Sequence, residues 1–146
     1  MDSVAVEATK RGVLARGSDD WVYAGEVVLV AAEAVLGSQR LAGYPDDPAV
    51  DTAQLATQRK LWLAEQERSV FPLAVRAVKE LIRDGLVWIG DVADGGFQPW
   101  QGLREELEAR IDAAGESAVF PLLPGDLFWL KNTAAGNELA EQIEEY

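Results

Sequence analysis

The chain has neither cysteine nor histidine among its 146 residues. Without cysteine there can be no disulfide framework, thiolate metal site or thiol nucleophile. Without histidine the commonest general base, the base of a hydrolase triad and the preferred zinc and iron ligand are all missing. Only carboxylate, Ser, Thr, Lys or Tyr chemistry remains, and there is no glycine-rich phosphate cradle and no Gly-x-Ser-x-Gly elbow to organise it. The acid pairs Asp46, Asp47 with Asp51, and Asp91 with Asp94, lack the spacing of a calcium loop and read as turn formers and caps. A non-enzymatic protein with no cofactor and no bound metal is therefore expected.

Long apolar runs and basic leaders are also absent. The most apolar stretch, Trp21 to Leu36, contains Glu26 and Glu33 and falls short of the ~20 residues that cross a bilayer. No membrane partner is expected. The N-terminus lacks the basic start and apolar core of a secretory signal, so residues 1–18 read as a flexible tail and the location as cytoplasmic. Residues 19–146, in a chain that is 49% hydrophobic, suffice for one domain with a real core.

Positive charge is scarce, with 13 Lys and Arg against 25 Asp and Glu and a net charge of −12. The first fifty residues carry −4, the next fifty −1 and the remainder −7. Such a surface repels nucleic acid at long range and speeds encounter with a basic protein.

Periodicity supplies the elements. Asp19 or Asp20 caps a first helix from Trp21 to Leu36 that Gly37 stops, with Val22, Val28, Leu29, Ala32, Val35 and Leu36 turned inward. Gly43 to Asp51 is a loop. Asp51 or Thr52 caps a second helix through about Arg68, with Leu55, Trp62 and Leu61 inward. Phe71, Ala74, Val75, Val78, Leu81 and Ile82 then follow the i, i+3, i+4 rule of a third helix whose first turn holds Pro72. Gly85 ends it and a strand begins at Leu86. Asp94, Gly95 and Gly96 turn the chain. Gln101 to Ala114 is a further helix with Leu103, Leu107 and Ile111 inward, stopped by Gly115. Phe128 to Asn132 is a second strand, and Thr133 caps the last helix.

A helix ending in Gly85, a strand from Leu86 to Val92, a return strand from Phe128 to Asn132 and the opening Thr133 to Gly136 resemble the winged helix of MarR-type and related regulators. The resemblance covers about half the chain. It implies an α+β, mostly helical, winged-helix-like domain with a two- or three-stranded antiparallel sheet, and here an inserted helix stands between the strands in place of a short wing. The whole chain also resembles small actinobacterial proteins of uncharacterised function, which carries no activity with it.

Two functions follow, from different classes. Charge and missing chemistry point to an acidic protein-binding module of the antitoxin or immunity kind that neutralises a basic partner, with Asp46, Asp47, Phe97, Trp100, Glu105 and Glu108 as its contact candidates. The resemblance implies instead a DNA-binding transcriptional regulator, acting as a homodimer, that uses Arg76, Lys79 and Arg83 on the presumed recognition helix. Glu80 and Asp84 interrupt that basic stripe, and DNA affinity rests on phosphate contacts, so charge disfavours it. A structural or subunit role is the third reading. Trp88, Trp129, Trp62 and Trp21 are assigned to the core. Trp100, beside Phe97 and Pro99, either pins the inserted helix or faces a partner.

Overall fold

The computed structural model describes residues 3–144. Met1, Asp2, Glu145 and Tyr146, at the ends of the expected tail and domain, lie outside the described residues. The chain is an α+β domain, mostly helical, with one four-stranded antiparallel sheet.

Residues assigned to a flexible tail form the first helix, α1 (Ser3–Gly17). Ala5, Val6, Thr9, Val13 and Leu14 are buried on it, and the Thr9 hydroxyl donates to the Ala5 carbonyl at 2.7 Å, so its polar group is satisfied inside the core. Glu7, Lys10, Arg11 and Arg16 interrupt this apolar row in sequence, yet helical geometry places it on one face. The domain therefore begins before residue 19.

Strand β1 (Val22–Tyr23) and helix α2 (Ala24–Leu36) replace the single helix expected from Trp21. Asp20 accepts the Trp21 amide at 2.7 Å and Tyr23 occupies the N-cap position. Val27, Val28, Val30, Ala31 and Ala32 are buried, whereas Leu29 and Val35, expected inward, are exposed. Gly37 ends α2 at a φ of 50°.

The second and third expected helices are one, α3 (Thr52–Arg83), 32 residues and about 48 Å long. Asp51 caps it by accepting the Gln54 amide at 2.9 Å. Pro72 lies in its interior, not its first turn. The ring removes one N–H from the ladder, but Val70, Leu73, Ala74, Ala77, Val78 and Leu81 bury a continuous stripe across it. Burial of that stripe outweighs the cost of about 3 kcal/mol that an interior proline imposes on a helix through the lost hydrogen bond and the ring's clash with the preceding turn.

Gly85, at a φ of 70°, reverses the chain into β2 (Val87–Ala93). Asp94 and Gly95 have φ values of 51° and 77°, the signs that a two-residue primed hairpin turn requires, and β3 (Gly96–Pro99) returns along β2 with Ala93 opposite Gly96. A short hairpin thus exists where only a turn and loop were expected. Helix α4 (Arg104–Glu116) follows, starting later than expected and running through Gly115. Leu103 is exposed, contrary to its inward assignment, and Ile111 with the half-buried Leu107 anchors the helix. Strand β4 (Trp129–Asn132) enters between β1 and β2, giving the order β1-β4-β2-β3. Thr133 caps α5 (Ala134–Glu144) by accepting the Gly136 amide at 3.1 Å while donating to the Gly85 carbonyl at 2.7 Å.

Candidate functional site

The basic stripe sits on the C-terminal half of α3 and is occupied. Lys79 Nζ lies 2.8 Å from Asp112 and Arg83 Nη2 2.6 Å from Glu108, both acids on α4. Arg76 pairs along its own helix with Glu80 at 3.0 Å. The Arg76 hydrogen bond, aided by Lys10, holds the Glu80 carboxyl below its ordinary value. The inserted helix therefore lies against the face that the regulator reading assigns to DNA.

Trp100 is 8% exposed, so it is not available as a surface contact. Its indole N–H donates to Asp91 Oδ2 at 3.0 Å, the Arg110 guanidinium stands 3.9 Å over the ring, and Phe128 meets its edge at 6.5 Å. These contacts tie β3 to β2, to α4 and to the core. Trp88 shows the opposite error. Expected in the core, it is half exposed, because it alternates with buried Val87 and Ile89 and so faces the other side of the sheet, beneath Lys131 at 5.6 Å.

The other acidic and aromatic candidates do not converge. Asp46 pairs with Arg59 at 3.1 Å and Asp47 accepts the Ala49 amide at 2.9 Å, both in the loop before α3. Glu108 is drawn between Arg83 and Arg104 at the other end of that helix. Arg59 and Arg83 are 24 residues apart along α3, about 36 Å. Glu105 is exposed and forms no ion pair among the described residues, and Phe97 is half-buried against Trp21 at 6.2 Å. One patch cannot contain all six.

A different surface stands out at the N-terminal half of α3. From Thr52 to Leu63 no residue of this helix is buried. It overhangs the core and, with the end of α2 and the following loop, walls a groove of about 540 Å³. Leu29, Leu41, Tyr44, Trp62, Leu63 and Pro121 give it an apolar lining. Leu41 is 59% exposed, and Tyr44 and Leu63 are each 39% exposed. The wall is braced: Gln66 donates to the Arg40 carbonyl at 2.6 Å, Arg59 donates to the Pro45 carbonyl at 3.0 Å and stacks 5.0 Å from Tyr44, and Tyr44 meets Trp62 edge to face at 5.2 Å. Glu67, one turn further along α3, accepts the Leu122 amide at 2.8 Å and so holds the loop that carries Pro121. Burial raises its carboxyl above the ordinary value, against the opposing pull of that amide.

The sequence reading placed Trp62 and Leu61 on the inner face of a second helix and Gly43 to Asp51, which contains Tyr44, in a plain loop. The usable signal was the run Leu61-Trp62-Leu63. Successive helical residues are about 100° apart, so three in a row cannot all face one core.

Among the described residues no group of three or more acids is placed to hold a metal ion, and no helix is long and apolar enough to cross a membrane. Compared with known proteins, the chain matches no family model, no curated protein and no solved structure.

Proposed function

We propose that this protein is a non-enzymatic protein-binding module that works through the groove beside the overhanging half of α3. The observation that carries this reading is the braced, exposed apolar lining built from Leu41, Tyr44 and Leu63. Contiguous exposed apolar surface of this kind marks interaction sites, and hydrophobic side chains on a helix that spans beyond its own core have burial to gain from a partner. The antitoxin or immunity form of the reading, neutralisation of a basic partner, draws its support from the net charge of −12 and not from a single acidic patch.

The winged-helix DNA-binding regulator is the second reading. The succession of α3, the Gly85 reversal and the β2–β3 hairpin favours it. The same helix argues against it, since the three cations of its basic stripe, Arg76, Lys79 and Arg83, are already paired with Glu80, Asp112 and Glu108. Phosphates would have to displace those carboxylates first.

Affinity capture with the tagged protein, beside a Leu41→Glu, Leu63→Glu double variant of equal circular dichroism, tests the choice. A single protein retained at stoichiometric yield by the wild type and lost by the variant is the expected result. Retention of duplex DNA, weakening steeply with salt, would overturn it in favour of the regulator.

A further inference from the structure

Resting on the protein-binding reading, we infer that the groove takes an amphipathic helix of a partner protein whose apolar stripe is flanked by Asp or Glu. The charge of the groove runs against that of the chain. Arg40, Arg59 and Lys60 line it and no carboxylate does, in a protein with nearly twice as many acids as bases. Ten of the thirteen Lys and Arg residues form ion pairs among the described residues, which leaves Arg11, Lys60 and Lys131. Arg11 is on α1, and Lys131 lies over Trp88 on β4. Lys60 is thus the one cation without an ionic partner in the groove, and it stands beside an apolar lining. A carboxylate on the flank of an apolar helix would pair with it as the lining is covered.

Geometry selects a helix over an extended segment. Helices α2 and α3 and two loops build the walls, and no strand edge reaches them, so an extended peptide would find no ladder to join. A helix presents side chains at i, i+3, i+4 and i+7 and needs no backbone pairing. A second copy of this chain fits less well. A twofold contact through the groove would bring Arg40, Arg59 and Lys60 of both copies against one another. The net charge of −12 slows encounter with an acidic helix, but that repulsion is screened beyond about 8 Å at physiological ionic strength, while the pairing at Lys60 is a contact interaction.

The test is a display selection against the intact protein, using a library of helical peptides with a fixed leucine stripe and randomised flanks. Enriched peptides are expected to carry Asp or Glu beside the stripe. Binding of an enriched peptide, read by fluorescence anisotropy, should fall about tenfold or more in Leu63→Glu and severalfold in Lys60→Glu, and stay unchanged in Glu116→Gln at the exposed end of α4. A Lys60→Glu protein should regain binding when the peptide's facing carboxylate becomes Lys. Basic flanks, absence of enrichment, or binding indifferent to both groove substitutions would overturn the inference. So would sedimentation showing a wild-type dimer that Leu63→Glu dissociates, which would assign the groove to a second copy. None of these results touches the protein-binding reading itself, which the affinity capture decides separately.

Discussion

Replacing Trp100 distinguishes a structural pin from a contact surface, because the two roles differ in which measurement they disturb. The side chain is 8% exposed and joins four neighbours: its N–H donates to Asp91, Arg110 stacks on its face, Phe128 meets its edge, and its backbone amide donates to the Ile89 carbonyl at 2.9 Å. Trp100→Ala keeps only the last of these. Truncation of a buried aromatic costs about 3–5 kcal/mol. At about 2–4 °C per kcal/mol for a domain near this size, Tm should fall by about 6–20 °C. Trp100→Phe keeps the ring and loses the N–H. Asp91 is half exposed and can turn to water, and the exposed Arg110 contributes only the lower range of a cation–π contact, so the cost should be about 1–2 kcal/mol. Urea unfolding followed by far-ultraviolet circular dichroism reads both variants without relying on tryptophan emission. A Trp100→Ala protein within about 1 kcal/mol of the wild type would refute the burial argument, and would return Trp100 to the surface role that its loop sequence suggested.

Glu67 should make stability depend on pH in the direction opposite to a salt-bridged acid. Its folded pKa is raised above the ordinary 4.5 by burial, so its contribution is fully present below that value and is lost as pH rises through the folded pKa. The stability of the wild type relative to Glu67→Gln should therefore decline in urea titrations taken from about pH 4 to about pH 7; a flat difference would show that the carboxyl is not desolvated. Asn132, 6% exposed, donates to the Leu14 carbonyl at 3.0 Å and to Asn137 Oδ1 at 3.2 Å. Asn132→Ala removes both side-chain bonds that tie the end of α1 to β4 and α5 and should cost about 1–3 kcal/mol, with faster amide exchange in α1 than in α3. Equal acceleration in both helices would mean that Asn132 does not hold α1 in particular.

Much of the local structure was legible because neighbours in sequence decide it. Asp51 capping α3, Gly37 and Gly85 ending helices, Thr133 opening α5 and the strands at Val87 and Trp129 each rest on a backbone requirement within a few residues. The hairpin could have been read as well, since Asp-Gly between two apolar runs is a strong short-range turn signal, and Asp94 and Gly95 supply it. Pro72 misled because a local penalty was weighed without the stripe of burial on both sides of it.

The sequence by itself determined the absence of thiol and imidazole chemistry, the acidic balance and the positions of most helices and strands, because composition and short-range periodicity are complete in the chain as written. Tertiary structure alone decided which surfaces exist. Val22 meets Leu130 across more than a hundred residues, α4 returns to neutralise Lys79 and Arg83, and Trp100 closes over Phe128. Leu41, Tyr44 and Leu63 come together only because α3 outruns the core that covers its other half. Burial and pairing depend on what the rest of the chain brings alongside, and an individual residue carries no record of that.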